Sequence, residues 1–281
     1  MQDFWIIISV AFIGISASLL GAFLLFRKMT MLTDAIAHSI LPGIVIAYLL
    51  SGTKNILLTL VVATLFGVLT SFLASWIEKK IPSRQDAATG ISFTFLFALG
   101  IIMVTLFAEQ TDLDQECVLF GEMLYIPFDT LLFNTLEIPR AFLMSLLVLV
   151  VVFTFTRIAY RYLFFITFDS IFSASIGISI TLWHYVHVTL VSLVSVASFE
   201  LLGSVLVIAM FVFPPATAFL ISRNFFTLLL YTLFISVISV ILGYYFSVWQ
   251  LSSAAASIVL VQGVIFSGTL ILHRNLYQKT S

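Results

Sequence analysis

The chain has 281 residues, of which 62% are hydrophobic and only 9% are charged. A soluble domain carries about 25% charged residues, so the composition excludes that class and predicts an all-α, polytopic transmembrane helical bundle. The formal net charge is −1 and there is no basic run, so nothing suggests nucleic acid as a partner. Cys117 is the only cysteine, which excludes an intrachain disulfide, a C-x-x-C redox site and a zinc–cysteine cluster.

Apolar windows of about 20 residues, the length of a membrane-spanning helix, recur along nearly the whole chain. We expect one transmembrane domain over residues 1–281 and no soluble domain. The first window, 4–26, is predicted to be a retained helix, since no basic region precedes it and no A-x-A-like site follows it. The nine candidate spans are 4–26, 31–51, 55–77, 88–108, 133–156, 176–196, 200–222, 225–248 and 251–272.

Two parts of this map leave eight spans as an alternative to nine. Glu137, Pro139 and Arg140 shorten the fifth window, and the adjacent pair between 176 and 222 has the length of a broken or re-entrant helix. Within that pair, Pro214 and Pro215 remove two backbone donors, so we expect the helix to break or kink there.

The distribution of lysine and arginine predicts the orientation of the bundle. With the N-terminus outside, ten of the twelve basic residues lie on the cytoplasmic side, and only Lys54 and Arg140 lie outside. The 109–129 connection, which is acidic and has no basic residue, then lies outside as a solvated loop or a cation-attracting docking surface. The 157–177 connection lies inside and mixes charge with aromatic residues, a composition typical of an interface with lipid or a cytosolic partner.

Asp34 and His38 are the strongest candidate site residues, because ionisable groups inside an apolar span are expensive and usually functional. Their four-residue spacing puts both on one helix face within reach of a single ion. A carboxylate oxygen and an imidazole nitrogen suit manganese, iron and zinc, and binding should weaken in acid because the histidine must be neutral to bind metal. Two ligands do not complete a coordination shell, so a second helix, another subunit or water must supply the remaining ligands. The alternative is that Asp34 caps the helix and His38 bonds a backbone carbonyl.

A second histidine pair, His184 and His187, has i, i+3 spacing and is flanked by Trp183 and Tyr185. This composition favours anchoring or packing near the membrane interface over a ligand pair. Glu200 is either an additional pathway ligand or a residue of the outer interface, and we favour the interface.

Two segments resemble the signatures of the metal-type ATP-binding cassette permeases, the membrane subunits of manganese, zinc and iron importers. The stretch Asp34-Ala-Ile-Ala-His38-Ser-Ile-Leu-Pro42-Gly43 is similar to their D-A-[IL]-[AS]-H-[AS]-[VIL]-L-P-G motif, and 203–218 resembles their later proline-containing motif. Weaker similarities lie at 119–121 and 168–177. The chain departs from the family pattern at Pro215, where alanine is frequent, and at Ser170 and Ile171, where a proline and an acid are usual.

The resemblance implies a permease subunit that is not an enzyme, since the sequence contains no G-x-x-x-x-G-K-[ST] loop to hold ATP. It implies a multi-pass protein of the bacterial cytoplasmic (inner) membrane in which Asp34 and His38 bind the metal transiently, with no permanently bound cofactor. The implied partners are a cytosolic ATPase subunit, an extracytoplasmic metal-binding protein, a second permease subunit and membrane lipid. The sequence leaves open which metal is carried and whether the permease pair is a homodimer.

Three other functions compete with this one. An ion-coupled secondary transporter also needs intramembrane acids and broken helices, but it works without an ATPase. An intramembrane metalloprotease is disfavoured because neither H-E-x-x-H nor G-x-S-x-G occurs. A purely structural membrane scaffold leaves Asp34, His38 and the two prolines without a reason.

Overall fold

The bundle is built around its first helix, α1 (Gln2–Phe26), which is apolar on all faces and therefore buried. Val10, Ala17, Leu20 and Phe23 are among its buried residues, and the helix contacts α6, α8 and α9. The computed structural model describes residues 2–51, 56–81, 85–107, 123–133 and 136–278. The other helices are α2 (Met31–Ser39), α3 (Leu41–Ser51), α4 (Ile56–Lys80), α5 (Gln85–Phe107), α6 (Arg140–Phe168), α7 (Ser170–Ser175), α8 (Ile180–Ile221), α9 (Phe225–Gln250) and α10 (Ala254–Gln278).

Nine segments of the described chain are long and apolar enough to cross a membrane. They follow the order of the nine predicted windows, and the expectation of an all-α transmembrane bundle is confirmed. The second span consists of two helices, because α2 ends at Ser39 and α3 begins at Leu41. Pro42 explains the break, since it has no N–H to donate to the carbonyl of His38.

The sixth and seventh spans are the two halves of α8, and the chain reverses between them at Gly203. The backbone of Gly203 has φ 71° and ψ 162°, a conformation essentially confined to glycine. A straight helix of 42 residues would be about 63 Å long. However, His187 of the first half packs on Phe23 and Phe219 of the second half packs on Phe26, with ring centroids 5.9 and 5.4 Å apart. Both ends of α8 therefore lie beside the end of α1.

The predicted break at Pro214 and Pro215 is wrong, because the break in this helix lies at Gly203. Proline fixes φ near −65°, a value that a helix accepts, but it removes the donor to the residue four positions earlier and its ring crowds the carbonyl of that residue. The carbonyl of Phe211, which Pro215 cannot bond, lies instead against Gly21 of α1. The absent side chain at Gly21 makes room for the unbonded oxygen, so the helix continues.

The fifth span begins at Arg140 and ends at Phe168, so the predicted window 133–156 is wrong at both ends. A short antiparallel hairpin, β1 (Thr130–Phe133) and β2 (Leu136–Pro139), precedes the helix. The N–H of Arg140 donates to the carbonyl of Asp129 at 2.9 Å, and the side chains of the two residues lie 3.7 Å apart. The proline that shortened the apolar window therefore ends a strand.

Helix α6 runs the full height of the bundle. Its first turn meets the start of α1, where the rings of Phe142 and Trp5 lie 5.0 Å apart, and its last residue, Phe168, packs on Phe26 at 5.1 Å. We call these two levels the Asp3 end and the Arg27 end, after residues at the two termini of α1.

The predicted 157–177 connection is mostly helical, because α6 occupies it as far as Phe168 and α7 follows directly. Asp169 ends α6 and caps α7, where its Oδ1 accepts the N–H of Phe172 at 2.8 Å. Ile171 and Phe172, on α7, are exposed at the Arg27 end. A short capped helix thus presents apolar side chains outside the bundle.

Helix α4 turns its large apolar side chains outward and its small or polar side chains inward. Leu57, Val61, Leu65, Phe72 and Trp76 are exposed, whereas Ala63, Thr64, Thr70, Ser71 and Ala74 are buried. In water this arrangement would be unstable, but in lipid the small inward side chains let helices approach closely. The exposed stripe therefore agrees with a membrane-embedded surface.

Candidate metal site and its surroundings

Asp34 and His38 lie on one face of α2 as the spacing predicts. His38 Nε2 and Asp34 Oδ1 are 3.4 Å apart, and both side chains are partly exposed, at 32% and 41% respectively. Two ligand atoms that each lie 2.0–2.2 Å from a common ion are separated by about 3.0 to 3.4 Å. The pair is therefore already spaced to hold one ion between the imidazole and the carboxylate.

Asp34 does not cap α2, so the structure does not support that alternative role. Thr30 precedes the first turn of α2, and Asp34 lies within that turn, beside the imidazole rather than over the free backbone N–H groups. The carboxylate is therefore available to a ligand from outside the helix.

The imidazole of His38 packs against α5. Its ring centroid lies 6.1 Å from that of Phe93 and 5.6 Å from that of Phe97. Next in the chain, Pro42 lies against Gly100 of α5, where a methyl group would come within 2.9 Å of the proline ring. Gly100 thus lets Pro42 pack closely against α5, the helix that carries the two aromatic rings beside His38.

Helix α2 is also fixed to α4. Ser39, the neighbour of His38, accepts a short buried hydrogen bond from Thr70 at 2.5 Å. Ile36 is fully buried, and Gly43 lies so close to Ala63 that a methyl group there would come within 2.7 Å of its Cα. These contacts lock the end of α2 that carries the histidine.

The coordination shell is incomplete within the part of the chain that the structure describes. No group of three or more His, Cys, Asp and Glu side chains lies close enough to hold a metal among those residues. The backbone of Glu200 lies in α8, close to the reversal. The acidic side chains between 109 and 122, together with Cys117 and the 119–121 segment, lie outside the described residues.

The histidine pair of α8 has a different environment. Arg27 Nη2 lies 2.8 Å from His184 Nδ1, and Ser71 Oγ lies 3.2 Å from His184 Nε2. Because a guanidinium can only donate, Nδ1 must be the acceptor, so Nε2 carries the hydrogen and donates to Ser71. A neighbouring cation opposes metal binding, so these contacts favour the packing role over a ligand pair.

His187 lies one turn further along α8 and is fully buried against Phe23. Full burial is more than the interfacial composition of this segment indicates, because an interfacial histidine would keep one nitrogen in water. No sequence pattern indicates Arg27 as the partner of His184, since the two residues are 157 positions apart. Burial also lowers the pKa of the Arg27 guanidinium, which nevertheless stays protonated in proteins.

Comparison with known proteins matches this architecture along nearly its whole length. The manganese transport system membrane protein MntD of Bacillus subtilis is 35% identical over 268 residues, which cover 95% of this chain and 90% of the relative. The zinc transport system membrane protein TroD of Treponema pallidum is 32% identical over 74% of this chain and 57% of its own length. The solved structure of PsaBC from Streptococcus pneumoniae in complex with Fab superposes with a TM-score of 0.82 at 25% identity, covering 99% of this chain and 95% of that one.

These matches extend over nearly all of the nine candidate spans. The model of the ABC 3 transport family matches residues 2–273. The chain is a multi-pass membrane protein and belongs to the ABC 3 transport family.

Proposed function

We propose that this chain is the permease subunit of an ATP-driven importer of divalent transition-metal ions, manganese, zinc or iron, in which Asp34 and His38 bind the ion in transit. The observation that carries the proposal is the separation of 3.4 Å between His38 Nε2 and Asp34 Oδ1 in a half-exposed site on a membrane-spanning segment. The relatives named for manganese and zinc transport support the class of ion.

An incomplete shell suits this role, because an ion in transit must leave as readily as it enters. The carboxylate offsets the charge of the ion inside the membrane, and the neutral imidazole adds the nitrogen that borderline metals prefer. The remaining ligands would come from water, from the acidic 109–129 connection or from the second permease subunit.

The partners in this proposal occupy opposite ends of the bundle. A separate cytosolic ATPase subunit docks at the Arg27 end, where α7 exposes Ile171 and Phe172. An extracytoplasmic metal-binding protein docks at the Asp3 end. A second permease subunit packs beside the site, which is supported by a surface groove of small residues on α5 formed by Ala87, Gly90, Thr94 and Ala98.

The decisive experiment is uptake of manganese, zinc and iron into proteoliposomes that contain this chain with its ATPase and binding protein. Asp34→Asn and His38→Ala should abolish or greatly reduce ATP-dependent uptake while the complex still assembles. Asp86→Asn, an exposed acid on α5, is the matched control and should transport normally. Uptake that continues without ATP would indicate a secondary carrier, and normal uptake by well-assembled Asp34→Asn protein would contradict the site.

A further inference from the structure

A partly buried hydrogen-bonded relay joins three helices at the point where the chain enters α2. Arg27 follows α1, His184 lies on α8 and Ser71 lies on α4, and the two contacts between them measure 2.8 and 3.2 Å. Within the described residues no carboxylate pairs with the Arg27 guanidinium. A half-buried charge with a neutral partner depends on that partner for its hydrogen bond.

The turn between Arg27 and α2 is short and fully bonded. The N–H of Lys28 donates to Leu25 at 3.1 Å, and the N–H of Met29 donates to Leu24 at 2.9 Å, which is the pattern of a Schellman helix end. Lys28 has φ 57°, so the turn holds a left-handed residue in place. A turn of this kind transmits the position of Arg27 directly to the first residue of α2.

The other end of α2 is fixed by the neighbour of Ser71. Thr70 bonds Ser39, which follows His38, while Ser71 bonds His184. Adjacent residues of α4 therefore hold the histidine end of α2 directly and its aspartate end through the relay.

We propose that Arg27, His184 and Ser71 form a positioning relay that fixes the start of α2 and thereby holds Asp34 at ion-sharing distance from His38. The inference rests on the proposed function, because it concerns the same metal pair. None of the three relay residues contacts the ion. They act through the backbone between Arg27 and Asp34.

The relay predicts which substitutions preserve the site. Glutamine at position 184 keeps an oxygen to accept from Arg27 and an N–H group to donate to Ser71, so His184→Gln should bind metal nearly as wild type does. His184→Leu and Arg27→Met each remove the link. By analogy with the loss of outer partners at metal sites, each should weaken affinity by about tenfold.

The test is the equilibrium dissociation constant and stoichiometry of Mn²⁺, measured from the electron paramagnetic resonance signal of free ion, with the purified transporter complex. Arg161→Met, an exposed arginine on α6 near the same end, is the control and should leave the dissociation constant unchanged. A merely structural role would lower the bound stoichiometry or the melting temperature without changing the dissociation constant. The double variant Arg27→Met/His184→Leu should bind no more weakly than either single variant, because both break one link.

The outcomes separate the two proposals. If Asp34→Asn abolishes binding while Arg27→Met and His184→Leu bind as wild type, the relay is wrong and the metal site stands. If Asp34→Asn binds normally, the metal site itself is wrong. Additive losses in the double variant would also overturn the relay. If His184→Leu fails to assemble, Ser71→Ala decides, with a loss of about threefold expected and an unchanged dissociation constant counting against the relay.

Discussion

The Cα of Gly21 on α1 lies directly against the backbone carbonyl of Phe211 on α8, and a methyl group at Gly21 would overlap that oxygen. In an uninterrupted helix this carbonyl would accept a bond from residue 215, but Pro215 has no N–H. The glycine on one helix therefore compensates for the proline on the other. Together they allow the first and seventh spans to pack at backbone distance.

Gly21→Ala should destabilise the folded complex. The added methyl group would have to push α1 away from rigid backbone, and overpacking of this kind costs about 1–3 kcal/mol. We expect a lower thermal unfolding midpoint for the detergent-purified complex. Gly268→Ala, at an exposed position of α10 with no atom within 4 Å of the new carbon, is the control and should unfold no earlier than wild type. Equal midpoints for the two variants would contradict the close contact.

Phe97→Ala should weaken metal binding without removing a ligand. The Phe97 ring lies 5.6 Å from the imidazole of His38 and limits its rotation, so its removal should weaken affinity by about tenfold. Equilibrium binding of Mn²⁺ to the purified complex measures this loss. Phe95→Ala removes an exposed ring from the same helix and should bind as wild type. A loss of the same size in both variants would show that Phe97 has no specific role.

The shared face of Asp34 and His38 and the nine candidate spans of the described chain were predictable from the sequence because both depend on local information. Apolar runs of sufficient length identify spans, and four-residue spacing on a helix puts Asp34 and His38 on one face. The break at Gly203 was not predictable in this way. Prolines are the stronger local signal for a break, and only the contact between Phe211 and Gly21 reveals why the helix continues through them.

The environment of His184 was equally inaccessible, because its partners come from distant parts of the chain. A helix that is apolar on every face has no amphipathic pattern to show which side faces protein and which faces lipid. The flanking Trp183 and Tyr185 indicate a membrane interface, but neither they nor His184 itself indicates the bond to Arg27.

Asp169→Ala should uncouple ATP hydrolysis from transport. It removes the N-cap of α7, worth about 1 kcal/mol to a helix this short, and so loosens the surface that we assign to the ATPase. We expect more ATP hydrolysed per metal ion imported in proteoliposomes. Asp169→Asn keeps a capping oxygen for the N–H of Phe172 and should retain the wild-type ratio. An unchanged ratio in Asp169→Ala would argue against a coupling role for α7.

Tyr244→Phe should lower stability at the Asp3 end. The Tyr244 hydroxyl donates to Asp3 Oδ1 at 2.6 Å and links α9 to the start of α1, and the loss of such a bond costs about 1 kcal/mol. The thermal midpoint of the complex should fall. Tyr245→Phe removes the hydroxyl of the exposed neighbour and should leave the midpoint unchanged. An equal fall in the midpoint of Tyr245→Phe would show that the bond to Asp3 is not the cause.

Helix α6 connects the Asp3 end of the bundle to the Arg27 end. It is an unbroken rod of 29 residues, about 43 Å long. At its start, Arg140 contacts Asp129, which precedes the hairpin. At its other end, the single residue Asp169 joins it to α7. In the proposed importer, a protein that displaces α7 would act, through Asp169, on an unbroken helix that reaches the hairpin at the opposite end of the bundle. One helix would then link the proposed ATPase side to the proposed metal-delivery side, without a signal that passes through the proposed ion site.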